Sequence, residues 1–561
     1  MKLFKTLLLC TFALGNVFTA HANDGECQKH LQSYNQSIES NTNYQSDFNE
    51  LVCRLVDANY QEKETLINSI VASENNKALL IIESLKSADL FYNKKNGDVV
   101  TRKKLENGKY QATSILSNEV LGEFKKRTLR KVGINNNLRR TINGLVAELQ
   151  ISSNDVSLRE SAAAELLKSA EISALPLLEK ALIKEENEKV KEILLTARAL
   201  IYLQSDDQLA RIEAIKFLDG SLYTETRNGL HAFLNRAKQE NNGYAKVEVQ
   251  LAQKTLDDIN ELMKLNGVLE NVYFGVALGA VLLLAAIGLA ITFGVMGVIN
   301  MAHGEMIMLG AYTTFVIQQL MPNNIGLSLV VAVPAAFLVS GLVGVLIERS
   351  VIRHLYGRPL ETLLATFGIS LVLQQAVRSI FGPLNQDVQT PDWMAGTFTV
   401  NAGLELTFNR LYIIIFSLLV LAALAVVLKK TLFGLQMRAV TMNRPMASSM
   451  GIKTGWVDAL TFGLGSGIAG IAGVALSQLT NVGPNLGQQY IIDSFMVVVF
   501  GGVGNLWGTL VGAMSLGIAN KIFEPMAGAV LAKIIVLVAI ILFIQKRPRG
   551  LFALKGRSVE D

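Results

Sequence analysis

Residues 294–312 read GVMGVINMAHGEMIMLGAY, and this stretch carries the pattern that decides the class of fold. It belongs to long uncharged runs, because no Asp, Glu, Lys or Arg occurs between Glu270 and Glu305 or between Glu305 and Glu348. A helix needs about 20 mostly apolar residues to cross a bilayer, so each run is long enough for one or two crossings. The sequence therefore predicts a helical membrane domain with polar residues at membrane depth.

Further uncharged runs separate Arg410 from Lys429, Asp458 from Asp493, and Asp493 from Lys521. Together the runs predict about eight or nine spans, and we place nine. These are residues 272–293, 303–320, 327–347, 361–380, 410–428, 457–480, 491–503, 507–523 and 529–545. The span at 491–503 is short, which predicts a broken or re-entrant helix.

The composition indicates a membrane protein joined to a soluble part, because 50% of the residues are hydrophobic and 18% are charged. The net charge of +5 is small and no basic stripe with aromatic residues is present, so we expect no nucleic-acid partner. Near residue 267 a segment rich in Lys, Glu and Asn gives way to one rich in glycine. We predict a helical domain at 23–265, a membrane domain at 266–548 and a tail at 549–561.

The first 22 residues have the pattern of a secretory signal peptide. Lys2 and Lys5 precede an apolar core at Leu7–Leu14, and the small residues Ala20 and Ala22 mark a cleavage site. A short membrane anchor is the alternative, although the apolar run is shorter than the ~20 residues that cross a bilayer. A signal peptide would place residues 23–265 outside the cytoplasm.

Three cysteines occur, and Cys10 lies inside the predicted signal. Cys27 and Cys53 remain in a segment that would be sent to an oxidising compartment, so we expect a disulfide between them. Two buried thiols are the alternative. No Cys/His cluster has the spacing of metal ligands, and we predict neither a metal site nor a cofactor.

Helical periodicity dominates the segment before residue 267. Val190, Ile193, Leu194, Ala197 and Ile201 repeat at the spacing of one buried helix face. The stretch SLRESAAAELLKSA at 157–170 is echoed by DQLARIEAIKFLDG at 207–220. Helix pairs repeated in this way resemble HEAT-type repeats, and an ordinary helical bundle is the alternative.

Several polar residues in the predicted spans are candidates for the path of a solute. A glutamate at membrane depth usually faces a cavity or a partner, and Gly304 beside it permits a helix break. Stabilisation of the helix bundle by hydrogen bonds is the alternative for each candidate. The candidates are Asn300, His303, Glu305, Thr366, Gln374, Gln375 and Asn505.

Basic residues predict the orientation of the membrane domain. They cluster at 349–358, at 429–453 and at 546–557, whereas the loop 381–409 contains Asp387, Asp392 and Glu405 but no Lys or Arg. The positive-inside rule places the three basic segments in the cytoplasm. An outside amino-terminal domain and a cytoplasmic tail require an odd number of crossings, which nine satisfies.

Enzyme motifs are missing. The chain contains no G-x-x-x-x-G-K-[ST] phosphate loop and no H-E-x-x-H. GSGIAG at 465–470 lies inside an apolar span, where Gly463 and Gly467 have the G-x-x-x-G spacing of closely packed membrane helices. We therefore predict a protein that is not an enzyme and cannot bind ATP through a phosphate loop.

The segment KKTLFGLQMRAVTMNRPMASSMGIKTG, residues 429–455, is basic and amphipathic. A short helix here would suit insertion into a partner protein on the cytoplasmic side. A solvated connector held by lipid headgroups is the alternative.

Four stretches resemble the LivH-type permeases of branched-chain amino-acid ABC importers, and they are nearer still to the urea (UrtB-type) permeases of that family. They are GVMGVINMAHGEMIMLGAY, ERSVIRHLYGRPLETLLATFGISLVLQQ, FMVVVFGGVGNLWGTLVGA and IQKRPRGLF. The resemblance covers residues 267–558. It implies a path for urea across the bacterial inner membrane by ATP-driven alternating access, with import of amino acids as the alternative. A membrane-anchored sensor or scaffold is a remote alternative.

The resemblance also implies partners: a second, LivM-type permease, two ABC ATPase subunits, a periplasmic solute-binding protein and membrane lipid. In such permeases a cytoplasmic segment couples to the ATPases. The matching positions here are Gly434, Arg438, Arg444, Ala447 and Gly451. The family's E-A-A-x-x-x-G pattern is degenerate, because only Ala447 and Gly451 keep the spacing and no glutamate opens it.

Overall fold

The computed structural model describes residues 26–28, 30–31, 47–73, 75, 77–105, 108–239 and 245–552. The predicted signal peptide and Cys10 lie outside these residues. The chain divides into two compact units, Met1–Ile259 and Asn260–Asp561, close to the change in composition near residue 267.

From residue 47 onward, the described part of the amino-terminal unit begins with three helices, α1 (Phe48–Arg54), α2 (Tyr60–Ala72) and α3 (Ala78–Lys86). An antiparallel five-stranded sheet follows, in the order β4-β3-β2-β1-β5. Its strands are β1 (Phe91–Asn93), β2 (Val99–Lys104), β3 (Tyr110–Ser114), β4 (Val120–Phe124) and β5 (Leu129–Lys131). The chain is mostly helical, which confirms the predicted all-α class in its main feature, and the small sheet is an addition that the helical prediction for residues 23–265 did not include. The strands are short and carry several charged residues, so their alternation is weak.

A disulfide joins the first part of this unit to its core. The Sγ atoms of Cys27 and Cys53 are bonded, and their Cα atoms lie 5.4 Å apart. Both residues are buried with side chains of α2, α3 and β2, among them Ile67, Ile81 and Val99. The backbone N–H of Cys27 also donates to Oδ1 of Asp98 at 3.0 Å. Burial raises the pKa of the Asp98 carboxyl above its ordinary value.

Six helices complete the part of this unit that precedes the membrane half. They are α4 (Asn136–Gln150), α5 (Val156–Ser169), α6 (Leu175–Lys184), α7 (Glu188–Tyr202), α8 (Gln208–Phe217) and α9 (Thr224–Gln239). The predicted face of α7 is buried, and its five residues are at most 4% exposed. The two echoed stretches form α5 and α8, each with an aspartate at its amino-terminal cap, Asp155 and Asp207.

The repetition extends to side-chain contacts. Arg159 of α5 binds Glu185 through two nitrogens and donates to the carbonyls of Ser153 and Asn154. Arg211 of α8 binds Glu248 through two nitrogens and donates to the carbonyls of Ser205 and Asp206. The Arg159 guanidinium holds the pKa of Glu185 below its ordinary value. The two stretches are therefore equivalent in structure as well as in sequence.

A helix lies at each of the nine predicted span positions, and the first of these helices begins in the amino-terminal unit and continues into the second. They are α10 (Lys246–Met296), α11 (His303–Leu320), α12 (Ile325–Ser350), α13 (Pro359–Phe381), α14 (Phe408–Lys430), α17 (Thr454–Ser477), α18 (Leu486–Gly501), α19 (Leu506–Ala527) and α20 (Ala529–Lys546). Within the described residues, seven are long and apolar enough to cross a membrane. The other two are α11 and α18, and α18 is the helix predicted to be short.

Two short helices, α15 (Leu432–Met442) and α16 (Arg444–Ser449), lie between α14 and α17. A hairpin of β6 (Thr397–Asn401) and β7 (Leu404–Thr407) lies in the acidic loop, where no strand was predicted. The same loop pairs with the chain before α18 through hydrogen bonds between Gln386 and Val482.

Glycines allow the central membrane helices to approach closely. A Cβ on Gly310 of α11 would lie 2.0 Å from the carbonyl oxygen of Gly470 on α17, and a Cβ on Gly473 would lie 2.0 Å from that of Ile307. Gly463 and Gly467 lie against Val345 and Phe337 of α12. The prediction that GSGIAG serves helix packing is therefore confirmed.

Candidate functional site

The candidate site lies at a break between α10 and α11. Gly297 adopts a positive φ of 69°, which favours glycine, and the chain runs irregularly until α11 begins at His303. Gly304 packs on the start of α18, because a Cβ there would lie 2.6 Å from the carbonyl oxygen of Gly487. Two helices thus begin side by side, and their first backbone N–H groups favour negative charge in a solute.

Glu305 is the central polar residue of the site. Its side chain is 1% exposed, and its Oε1 accepts a hydrogen bond from the hydroxyl of Ser370 on α13 at 3.0 Å. Its Oε2 is buried and has no hydrogen-bond partner among the described residues. A buried carboxylate oxygen without a partner is costly, so this atom is suited to accept a hydrogen bond from a bound solute.

A stripe of polar residues on α13 faces the break. Thr362, Thr366, Ser370 and Gln374 are spaced four residues apart, and all are at most 5% exposed. Thr366 accepts a hydrogen bond from the backbone N–H of Met301 at 3.1 Å. Thr366 and Gln374 were predicted from the sequence, whereas Ser370 was not, although the four-residue spacing of the stripe would have identified it.

The two neighbouring glutamines, both selected as candidates from the sequence, differ in burial. Gln374 is 5% exposed and its Nε2 has no hydrogen-bond partner in the described structure, whereas Gln375 is exposed on a different face of α13. Gln374 therefore belongs to the stripe, and Gln375 does not.

His303 and Asn300 hold the break in shape. Nε2 of His303 lies 2.9 Å from the carbonyl oxygen of Ala285, which joins the first turn of α11 to α10. Oδ1 of Asn300 accepts from the backbone N–H of Ala302 at 3.0 Å. Nδ1 of His303 and Nδ2 of Asn300 are both buried without a partner among the described residues.

Asn505 lies outside this cluster. It caps α19, where its Oδ1 accepts from the backbone N–H of Trp507 at 3.0 Å, and its Nδ2 donates to the carbonyl of Phe552. The side chain of Asn505 is thus assigned to a helix cap, and its place in the solute path stays a prediction. The residue was selected for its glycine-rich surroundings, which belong here to a helix start.

A charged pair at membrane depth was not predicted from the sequence. Nζ of Lys533 on α20 lies 3.2 Å from Oδ2 of Asp493 on α18. Asp493 is 9% exposed at its side chain. Their opposite charges on neighbouring spans were the signal that would have identified the pair.

The predicted coupling segment forms α15 and α16. Gly434 packs closely on Leu428, Arg438 donates to the carbonyl of Gly434, Ala447 is buried and Gly451 ends the segment at a φ of 86°. One exposed side is rich in methionine: Met442, Met446 and Met450 are 61–77% exposed. A flexible apolar surface of this kind suits a protein partner.

Arg444 connects this segment to the membrane helices. It bonds to the buried Asp458 on α17, and its guanidinium lies 4.3 Å from the ring centre of Tyr356. Burial raises the pKa of the Tyr356 hydroxyl. Arg349 at the end of α12 stacks on Trp456, 4.2 Å from its ring centre. The segment is thus tied to α17 and to the loop after α12, and α17 is in turn joined to α12 by the stack of Arg349 on Trp456.

Within the described residues no group of three His, Cys, Asp or Glu side chains is placed to hold a metal ion.

Broken helices that carry polar groups into a bundle of apolar spans define a membrane transport protein. A family model described as branched-chain amino acid transport system / permease component matches residues 271–544. The high-affinity branched-chain amino acid permease LivH of Escherichia coli (strain K12) is 31% identical over 293 residues, which are 50% of this chain and 94% of that protein. The chain belongs to this permease family.

Relatives of lower identity are also named as permeases for branched-chain amino acids. The permease BraD of Pseudomonas aeruginosa is 29% identical over 296 residues, which are 50% of this chain and 95% of that protein. The probable LivH of Methanocaldococcus jannaschii is 27% identical over 274 residues, covering 48% of this chain and 82% of that protein. No solved structure matches the chain. These relatives are transport permeases, and none of them singles out urea.

Proposed function

We propose that this chain is the permease subunit of a binding-protein-dependent ABC importer and that a small polar solute passes the break around Glu305. The observation that carries the proposal is the buried Oε2 of Glu305, which has no partner in the described structure and lies beside two helix starts. Reconstitution of the assembled importer tests it. We expect ATP-dependent accumulation of solute in vesicles, and accumulation that persists without this chain would overturn the proposal.

Branched-chain amino acids are the solutes that the comparisons favour, because the relatives above are named for them. The geometry is suitable: the Glu305 carboxylate can accept from an ammonium group, and the N–H groups of two helix starts can bind a carboxylate. Urea is the second candidate, supported by the resemblance of the quoted stretches and by the neutral stripe of Thr366, Ser370 and Gln374. Competition of unlabelled leucine and urea for uptake separates the two.

An importer of this kind needs partner proteins that use ATP and deliver the solute. The sequence contains no phosphate loop, so ATP has to be used by separate ATPase subunits. We infer that two such subunits bind the methionine-rich side of α15 and α16, that a second, LivM-type permease completes the path, and that a periplasmic protein delivers the solute. ATP binding and hydrolysis then drive the helices between outward-facing and inward-facing states.

We propose that the protein lies in the inner membrane of a bacterial cell. Its basic segments then lie on the cytoplasmic side. The carboxyl-terminal tail packs at the same end as α15, α16 and the end of α14: its Leu551 and Phe552 donate to the carbonyls of Phe500 and Gly501. The acidic hairpin loop has no basic residue. Negative phospholipids and the membrane potential both favour the basic end on the inner side.

The amino-terminal unit then lies in the periplasm, and we infer that it helps the solute-binding protein to dock. A version lacking residues 23–245 but retaining the predicted signal tests this. We expect weaker binding of the binding protein and slower uptake. Unchanged uptake together with unchanged affinity for the binding protein would contradict the inference. If the full chain takes up solute normally when no binding protein is present, a sensor or scaffold role for this unit would be favoured.

A further inference from the structure

An apolar groove runs between α14 and α19, at the end of the membrane unit where basic residues gather. Its volume is about 590 Å³. On α14 the groove is lined by Leu418, Leu421, Ala422 and Ala425, and Lys429 stands at its end. On α19 and the residues before it, the lining includes Asn505 and Trp507. We propose that this groove binds an anionic phospholipid of the leaflet at the basic end.

The shape of the groove suits an acyl chain that ends in a charged headgroup. Its lining on α14 extends from Leu418 to Lys429, which corresponds to about 16 Å along a helix at 1.5 Å per residue. This length is apolar except at Lys429, so the groove offers an apolar wall to an acyl chain and a positive charge to a headgroup. A soluble ligand would not match both properties, whereas a phospholipid does.

The charge at the end of the groove is complementary to that of an anionic headgroup. Lys429 and its neighbour Lys430 are exposed, and Lys429 forms no ion pair within the part of the chain that the structure describes. A phosphodiester is the anion that a lipid leaflet supplies at this depth, and basic pockets between membrane helices bind such headgroups.

Trp507 indicates the depth of the groove in the membrane. Its side chain is 64% exposed at the first turn of α19, beside Lys429 in the lining of the groove. Tryptophan prefers the headgroup level of a membrane, because its ring is apolar and its N–H is polar. Asn505 fixes this turn by accepting from two backbone N–H groups and by donating to the carbonyl of Phe552. The mouth of the groove therefore lies at headgroup level.

The membrane unit also provides an internal comparison. A second groove of about 430 Å³ is lined by residues of α12, α14 and α17 together with Trp393 of the acidic loop. Its lining contains no charged residue. We expect this groove to contact acyl chains without a preference for headgroup charge.

The three tryptophans of the chain make a direct test possible. Replacing Trp393 and Trp456 by Phe leaves Trp507 as the single tryptophan of the full chain, whose emission can be excited apart from that of tyrosine. The protein is placed in vesicles that contain equal fractions of phosphatidylglycerol and phosphatidylcholine, with bromine on the acyl chains of one or the other. We expect brominated phosphatidylglycerol to quench Trp507 with an apparent affinity about fivefold higher per participating lysine.

Two variants complete the experiment. The double change K429Q/K430Q removes the charges without filling the groove, and we expect the preference for phosphatidylglycerol to disappear. The chain with Trp393 alone, made by W456F and W507F, is the matched control, and we expect equal quenching by both lipids. Equal quenching of Trp507, or a preference that survives K429Q/K430Q, would overturn the proposal. Failure of both lipids to quench Trp507 would show that protein covers the groove, and this would overturn it too.

Discussion

Glu305 is the residue on which the proposed path depends most. Its Oε1 is used by Ser370, and its Oε2 is buried without a partner among the described residues. A charge-assisted hydrogen bond is worth roughly twice a neutral one, so the carboxylate offers a solute more than an amide would. The alternative is that Glu305 only stabilises the start of α11, where an acidic residue is favourable.

The change Glu305→Gln separates these roles. Glutamine keeps the volume and one oxygen, so α11 can still form, but the charge is lost. We expect the rate of solute uptake to fall about tenfold or more. A tenfold change corresponds to the loss of about 1.4 kcal/mol of interaction between the Glu305 carboxylate and the solute. Gln375→Asn on the exposed side of α13 is the control and should change uptake less than twofold. Normal uptake by Glu305→Gln at equal membrane levels would assign Glu305 to structure alone.

Single residues were predicted with uneven success, and the physical reasons differ. Asn300, His303, Glu305, Thr366 and Gln374 do lie at the break or on the adjoining stripe, because a polar residue in an apolar run has few ways to be satisfied. Asn505 instead caps α19, because the side-chain oxygen of an asparagine can accept from the first free N–H groups of a helix. Whether any of these residues touches a solute stays a prediction.

Among the elements, the pair α11 and α17 depends on the absence of side chains at their contact. A Cβ at Gly310 would lie 2.0 Å from a backbone oxygen of α17, and a backbone cannot yield as a flexible side chain does. By contrast, a Cβ at Gly368 on α13 would meet no atom within 4 Å.

Gly310→Ala should therefore destabilise the membrane unit, by about 1–3 kcal/mol or more for overpacking. Gly368→Ala is the matched control, and its gain in helix propensity of up to about 1 kcal/mol should leave stability unchanged or improved. The measurement is the midpoint of thermal unfolding of the purified full chain in detergent. Equal midpoints for the two variants would contradict the close packing of α11 and α17.

The link between the coupling segment and the membrane helices rests on Arg444. Its bond to Asp458 satisfies an aspartate that is 0% exposed, so losing the arginine leaves a buried carboxylate without its cation. Arg444→Ala should lower the number of solutes imported per ATP by about tenfold, because about 1.4 kcal/mol of the coupling interaction corresponds to that factor. Binding of the ATPase subunits should persist, since the exposed methionines remain.

Lys453→Ala is the control for Arg444→Ala, because Lys453 is an exposed cation of the same segment. It should leave the ratio of transport to ATP hydrolysis within twofold of normal. A loss of ATPase binding in Arg444→Ala, or an equal loss of coupling in both variants, would contradict the role of the link to Asp458.

The elements of the membrane half were predictable because span length is set by the thickness of the bilayer and charged residues mark the ends. The sheet of the amino-terminal unit was missed, although two Asn-Gly pairs, at 96–97 and 107–108, are strong hairpin signals. Periodicity alone could not show it, because β1 and β5 have three residues each.

The whole molecule combines a membrane unit whose family is established with an amino-terminal unit that precedes the family match at 271–544. The class of the membrane unit followed from its uncharged runs and broken helices. The solute did not, because urea and an amino acid can use the same carboxylate, amides and helix starts. Selectivity in such a path depends on small differences in hydrogen bonding, which residue types alone do not specify.

The central claim is that this chain forms the path of an importer for branched-chain amino acids. Uptake of labelled leucine and of labelled urea, compared in cells with the gene, without it and with it restored, tests this most directly. We predict that leucine uptake is lost without the chain and returns with it, while urea uptake is unchanged. Loss of urea uptake alone would overturn the solute but retain the importer. If uptake of both solutes persists without the chain, the claim is contradicted.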